Sequence, residues 1–186
     1  MRTQIPFISL LATSVLITVS FNAEGQTTAT GTVDALLIHN SGISLVFDTN
    51  TSGVALGTSG AAATTLNFGA ISAFGALVAG VTRSAVLSNF FTVGTLFNIQ
   101  VQEGGATSTS YRLTAQLSAA SPAGFSCAVD GVTLGTASSQ IQSSAAYNTD
   151  VQHALNLTIS TAAPGAGGPA LNTSLTTTLN FTATAN

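Results

Sequence analysis

The chain contains no lysine, and three arginines supply its strongly basic side chains. Soluble β-proteins usually protect exposed sheet edges with charged residues, lysine above all, because a bare edge recruits another strand. The edges of any sheet in this chain must therefore be covered, or else be used for pairing. The formal net charge is −3 across 186 residues. That charge is too small to indicate a nucleic-acid partner or attraction to an anionic membrane.

Cysteine is almost absent as well. Cys127 stands alone, which excludes an intramolecular disulfide even in an oxidising compartment. A zinc site is not supported either, because Cys127 shares no close spacing with His39 or His153. Cys127 lies two residues after Phe125, at strand-like spacing. This spacing predicts a buried, inert thiol, with an intermolecular bridge or a modified thiol as the alternatives.

The sequence also lacks a recognisable catalytic set. Acyl transfer requires a nucleophile, a base and a group that orients the base, and the two histidines are the available bases. His39 precedes a turn, while His153 is in phase with apolar neighbours and is expected to be a core or rim histidine. The scattered acidic residues do not predict the facing carboxylates of a glycosidase. We expect no enzyme, no catalytic residues and no cofactor; an enzyme would need one histidine to meet an acid in space.

One local motif has the oxygen spacing of a metal-binding loop. Asp48–Gly53 carries side-chain oxygens at positions 1, 3 and 5 and glycine at position 6, as in the first half of a Ca²⁺ loop. Position 12 is Ser59 rather than the glutamate that supplies a bidentate ligand. The pattern therefore favours a turn with side-chain caps, and no metal site is predicted.

The N-terminus has the features of an export signal. Arg2 precedes the mostly apolar run Ile5–Val19, and small residues at Ala23 and Gly25 suit cleavage after Gly25. The run is shorter than the roughly 20 residues of a spanning helix, although an uncleaved anchor is the alternative. We expect a secreted protein at the cell surface or in the extracellular medium, with no membrane partner after cleavage. The predicted organisation is a signal peptide over 1–25, an N-terminal extension over 26–38 and a β-sandwich domain over 39–186.

Alternating apolar and polar residues recur along the chain without a long helical stripe. The clearest alternation occupies Phe97–Gln102, Tyr111–Leu117, Leu155–Ser160 and Leu175–Thr182. Weaker strands are predicted at Thr28–His39, Ile43–Phe47, Thr64–Phe68, Thr82–Leu87, Phe90–Val93 and Phe125–Leu134. The segments on either side of Glu103-Gly104-Gly105 are expected to form a hairpin. Hydrophobic residues make up 45% of the chain, so a packed core is possible. About nine such strands predict an all-β, antiparallel sandwich.

Two short segments carry a resemblance to a known group of proteins. They are Leu66-Asn67-Phe68-Gly69-Ala70-Ile71 and the closing Leu179-Asn180-Phe181-Thr182-Ala183-Thr184-Ala185. They resemble secreted bacterial pilin-like sandwiches of the spore coat protein U and chaperone–usher type. The resemblance implies an immunoglobulin-like sandwich completed by a donor strand from a neighbouring subunit and assembled into surface fibres.

Under this resemblance the donor strand would be the extension over 26–38. Its alternate apolar side chains Val33, Ala35 and Leu37 would fill a neighbour's groove. The same segment is equally expected as an ordinary first strand of its own subunit. The leading hypothesis is therefore a structural subunit that self-assembles into a fibre, pilus or matrix, with copies of itself as partners. The alternative is a monomeric adhesive or glycan-binding module, whose partner would be a surface glycan.

Overall fold

A computed structural model describes residues 42–105, 107–162 and 174–186. These residues contain no helix and form nine strands. The predicted signal peptide and the N-terminal extension lie outside the described residues, as does the strand expected at Thr28–His39. The strands are β1 Gly42–Asp48, β2 Thr82–Val86, β3 Phe90–Gly104, β4 Ser110–Leu117, β5 Phe125–Val129, β6 Val132–Thr133, β7 Ser139–Ala146, β8 Asp150–Ser160 and β9 Leu179–Ala185.

The strands form two antiparallel sheets around one core. The larger sheet has the order β1-β3-β8-β5-β6, with β2 also paired to β3, and the smaller has the order β7-β4-β9. Period-two alternation places every second residue of β3, β4, β5 and β8 inside. The most buried of these are Val93, Ile99, Val101, Tyr111, Leu113, Cys127 and Val129. The predicted all-β, antiparallel architecture is confirmed, and the arrangement is consistent with a β-sandwich.

The expected hairpin between Phe97–Gln102 and Ser110–Leu117 is wrong. The first segment belongs to β3, which pairs with β1, β2 and β8, whereas the second forms β4, which pairs with β7 and β9. The chain therefore crosses from one sheet to the other after Gly104. Alternation shows which face of a strand is apolar, but two strands facing each other across a core have the same pattern as two neighbours in one sheet.

The segment Phe125–Leu134 contains a hairpin of its own. Val129 pairs with Val132, which leaves Asp130 and Gly131 as a two-residue turn. Both have positive φ, 50° for Asp130 and 80° for Gly131. These values match a type I′ turn, for which Asp-Gly is a preferred sequence because glycine adopts this conformation without a steric penalty.

The connection from β1 to β2, residues 49–81, is a long loop that packs on the core. The strand expected at Thr64–Phe68 does not form there; Leu66 and Phe68 contact the core from irregular backbone instead. Arg83 of β2 holds the loop, because its guanidinium donates to the carbonyls of Ser72 and Gly75 at 3.0 Å each. This loop therefore covers part of the core with apolar side chains carried on irregular backbone.

Two glycines allow the loop to approach the edge of β3. A Cβ on Gly53 would lie 1.8 Å from the carbonyl oxygen of Leu96. Gly80 has φ +82°, and a Cβ there would lie 2.3 Å from the carbonyl carbon of Gly53. Three backbones thus meet in the gap along β3 between the end of β1 and the start of β2.

Candidate functional site

The predicted donor residues Val33, Ala35 and Leu37 lie outside the described residues, as does His39. Their proposed contacts are therefore not visible in the structure. The described residues do show the sheet edges and the side chains beneath them. Sequence patterns had indicated that edges matter in this chain, but not which strands form them.

Strand β9 is a regular edge strand. It pairs with β4 through seven consecutive residue pairs, from Tyr111 opposite Ala185 to Leu117 opposite Leu179. The N–H of Ser118 donates to the Thr178 carbonyl at 2.9 Å, and the N–H of Asn186 donates to the Ser110 carbonyl at 3.0 Å. In an antiparallel pair, successive residues of a strand direct their N–H and C=O groups alternately toward and away from the partner strand. The even-numbered residues of β9 therefore form the hydrogen bonds to β4. The odd-numbered residues of β9 direct their N–H and C=O groups away, and no described strand pairs with them.

The side chains beneath this edge are apolar and half-buried. Phe181 of β9 makes edge-to-face contacts with Phe47 of β1 and Phe97 of β3, with ring centroids 5.5 and 5.8 Å apart. Leu179 and Ala183 point to the same side and pack partly against the core. On the opposite layer, Leu45 of β1 is also only partly buried. The side of the molecule bounded by β9 and β1 therefore exposes apolar surface next to main-chain groups of β9 that no described strand pairs with.

The other edges in the described part of the chain are less suited to pairing. Strand β7 meets β4 with two register shifts, and β2 meets β3 with one, and such bulges twist an edge away from a partner. Strand β1 is regular, but the N–H of Phe47 on its outer edge already donates to the Ala61 carbonyl at 2.9 Å. Strand β6 has two residues. The longest regular edge among the described strands is thus that of β9.

A second feature is the contact between His153 and Asp130. The Nδ1 atom of His153 lies 2.6 Å from Oδ2 of Asp130, and Oδ1 of Asp130 accepts from the backbone N–H of Ala154 at 2.8 Å. The His153 side chain is 1% exposed, which confirms its predicted inward position. The carboxylate thus ties the β5–β6 turn to β8. Sequence reasoning missed Asp130 as the partner, although the Asp-Gly pair marks the turn that brings it there.

This pair has two members of a catalytic triad and lacks the third. The Nε2 atom of His153 is buried and has no hydrogen-bond partner among the described residues. The ring packs instead against Phe97, with centroids 5.7 Å apart. A general base must reach a nucleophile within hydrogen-bond distance, and the described part of the chain places no hydroxyl or thiol there. Among the described residues, the contact joins the β5–β6 turn to β8.

Cys127 and the Asp48–Gly53 loop also have structural environments. Cys127 is fully buried, as predicted, and burial raises the pKa of its thiol to about 11. In the loop, the side chain of Asn50 accepts from the N–H of Ser52, and Asp48 accepts from the hydroxyl of Ser59. The predicted capped turn is confirmed. Within residues 42–105, 107–162 and 174–186, no three His, Cys, Asp or Glu residues are grouped as metal ligands.

Comparisons with known proteins give no further assignment. No protein-family model, curated protein or solved structure matches the chain significantly. The part of the chain that the structure describes has no helix long and apolar enough to cross a membrane.

Proposed function

We propose that the protein is a secreted structural subunit that self-assembles into a surface fibre, pilus or extracellular matrix by strand addition. The observation that carries this proposal is the edge of β9, which is regular, uncharged and lined by half-buried apolar side chains. An edge with these properties is a template for another strand, because its free N–H and C=O groups can continue the ladder.

The proposed donor is the extension over 26–38 of a second copy. The part from Thr32 to Ile38 has seven residues, the length of β9. A strand paired with β9 would direct alternate side chains toward the half-buried residues of β1. The spacing of Val33, Ala35 and Leu37 meets that requirement, with Leu45 and Phe47 as the surface that they would cover. Main-chain bonds would supply affinity, and the apolar side chains would fix the register.

The edge can be tested with a proline. Ala183→Pro removes an N–H that faces away from β4, so the β4–β9 ladder is retained while an added strand loses a bond and meets the proline ring. We expect Ala183→Pro to stay folded and to stop fibre growth. Ala183→Val is the matched control, because it keeps the N–H and should still assemble. Thr184→Pro removes a bond to β4 and should destabilise the subunit itself.

The donor can be tested separately. Deletion of residues 26–38 should leave a subunit that does not polymerise, and a synthetic peptide of that segment should bind the deletion variant but not its Ala183→Pro form. Electron microscopy and size-exclusion chromatography of the mature chain give the readout. Fibres that persist unchanged after the deletion refute the donor assignment. A full-length chain that remains monomeric at high concentration refutes self-assembly and favours a first strand closed within its own subunit.

A further inference from the structure

A cleft of about 380 Å³ lies on the outer face of the larger sheet, where β3, β5 and β8 end together. Its lining residues include Asn89, Phe90, Gly124, Ser126, Thr158 and Ser160. The cleft is shallow and open to solvent, so a ligand would lie against the face of the sheet rather than be enclosed as in the roughly 300–1,000 Å³ pockets of most small-ligand sites. The face is the outer one, because the neighbouring residues Phe91, Cys127 and Ile159 point into the core.

Strand register arranges the polar groups of the cleft in two rows. Ser126 of β5 lies opposite Thr158 of β8, and Thr158 lies opposite Thr92 of β3. One residue pair further along the same face, Phe90 of β3 lies opposite Ser160 of β8. Directly opposite side chains on paired strands are about 5 Å apart, and successive rows on one face are separated by about 7 Å. The result is a fixed grid of hydroxyl groups beside one aromatic ring.

Much of the hydrogen-bonding capacity of this grid remains unused. The hydroxyls of Thr92 and Thr158 lie 3.0 Å apart and bond each other, which leaves further lone pairs for a ligand. The Ser160 oxygen accepts from the N–H of Ala162 at 3.1 Å, so its O–H is available as a donor. Ser126 and Asn89 also line the cleft, and the Asn89 backbone carbonyl already accepts from the N–H of Thr161 at 2.9 Å, so Asn89 would contact a ligand through its side chain.

The charge of the cleft restricts the chemistry of its ligand. No Asp, Glu, Arg or His lines it. An ionic ligand would lose hydration without gaining a charged partner, and a purely apolar ligand would leave the hydroxyls unpaired. Phe90 supplies an apolar ring surface that is only half-buried. The matching ligand has many neutral hydroxyls on its edges and an apolar C–H face, which is the chemistry of a neutral pyranose sugar.

We infer that this cleft binds a neutral sugar unit of a glycan or polysaccharide. Phe90 packs against the C–H face of the sugar ring, while Ser126, Thr158, Ser160 and Asn89 exchange hydrogen bonds with its hydroxyls. The inference goes beyond self-assembly and does not require it. The cleft is formed by the larger sheet, whereas the proposed assembly edge belongs to the smaller one.

The test measures depletion of the mature full-length protein from solution by insoluble cellulose, chitin and mannan, with alginate as an anionic control. These polymers separate glucose, N-acetylglucosamine and mannose as sources of the same pyranose chemistry. We expect saturable binding to at least one neutral polymer and none to alginate. Thr158→Val, which keeps the shape but removes the hydroxyl, should weaken binding about tenfold. Phe90→Ala should weaken it at least as much, and Phe90→Tyr should retain it.

Phe74→Ala is the matched control, because Phe74 is 79% exposed and does not line the cleft. Equal losses for Phe74→Ala and Phe90→Ala would show general apolar adsorption and would overturn the inference. Failure of all three neutral polymers to deplete the protein would also overturn it, as would unchanged binding by Thr158→Val. Repeating the assay on Ala183→Pro separates the two proposals. Binding by this non-assembling form supports the cleft independently, and loss of binding only in that variant would assign sugar recognition to the assembled surface.

Discussion

The contact between Asp130 and His153 gives the most specific prediction about stability. Asp130→Asn keeps the size of the side chain and, like aspartate, asparagine tolerates the positive φ at this position. The carboxylate accepts two hydrogen bonds, from His153 and from the N–H of Ala154. An amide has only one oxygen, so its NH₂ group must face either the Ala154 N–H or the His153 ring.

Both arrangements leave a donor without a partner. If the amide oxygen faces Nδ1–H of His153, the Ala154 N–H meets an NH₂ group. If the amide NH₂ faces an unprotonated Nδ1, the ring proton moves to Nε2, which is buried without a partner. A buried unsatisfied donor costs about 1–3 kcal/mol, so we expect Asp130→Asn to lower the free energy of unfolding by about 2 kcal/mol.

Changing the other partner should have a smaller effect. In His153→Leu the buried polar ring is replaced by an apolar side chain, while the Asp130 side chain is 30% exposed and still accepts from Ala154. We expect a loss of about 1 kcal/mol, which is the net worth of one hydrogen bond. Urea denaturation followed by far-ultraviolet circular dichroism measures both values. A loss below about 0.5 kcal/mol for Asp130→Asn, or a larger loss for His153→Leu than for Asp130→Asn, would refute this reasoning.

Three further predictions concern other parts of the core and its loops. A pKa raised from 9.0 to about 11 for Cys127 corresponds to about 3 kcal/mol of stability, fully present below pH 9 and lost as pH rises toward 11. Unfolding curves measured between pH 9 and 11 should show this loss of stability in the wild-type protein but not in Cys127→Ala. Burial also raises the pKa of Tyr111, but that residue is present in both proteins, so its titration cancels in the comparison. The same pH dependence of stability in the two proteins would contradict the prediction. The folded protein should also resist thiol alkylation at pH 8 and react with the same reagent in denaturant, so rapid labelling without denaturant would mean that the core opens. Gly80→Ala should lower the free energy of unfolding by about 3 kcal/mol or more, because the strain at positive φ adds to the steric contact with Gly53. Gly131→Ala has a similar φ but open space around the new methyl group, so it should cost about 1–2 kcal/mol. Equal melting temperatures for the two variants would show that the loop moves to make room for the alanine at position 80.

Most of the predicted strands in the described residues form, including several with weak alternation, but the clear alternation over Leu175–Thr182 becomes a strand only from Leu179. Tyr111–Leu117 and Leu155–Ser160 appear within β4 and β8, because their inward residues lie between two sheets and must be apolar. Strand β7 was not predicted, since Ser139–Ala146 is an edge strand rich in serine whose side chains are largely exposed. Alternation reports burial of one face, and an edge strand that buries little carries a weak signal.

Pairing between distant strands was beyond local patterns. The contact from Asp130 to His153 joins the β5–β6 turn to β8, and β9 pairs with β4 although four strands lie between them in the sequence. Sequence placed His153 on an inward face, but it predicted a single strand over Phe125–Leu134 and so missed the turn that carries Asp130. The meeting of His153 and Asp130 depends on the register of β5 against β8, which pairs Val129 with Leu155. Register is set by packing of whole faces, so no short motif contains it.

The two arginines within the described strands have a practical consequence. Arg83 lies in β2, where its guanidinium is engaged by two loop carbonyls, and Arg112 lies in β4, paired on both sides within the smaller sheet. A protease that cuts after basic residues needs an extended, accessible backbone, and neither position provides one while the sheets are intact. After unfolding, cleavage after Arg83 and Arg112 releases the fragment 84–112 and leaves the sequence on either side of it in much longer pieces. Tryptic peptide surveys should therefore under-report this protein even where it is abundant, and a chymotryptic digest is the better way to detect it.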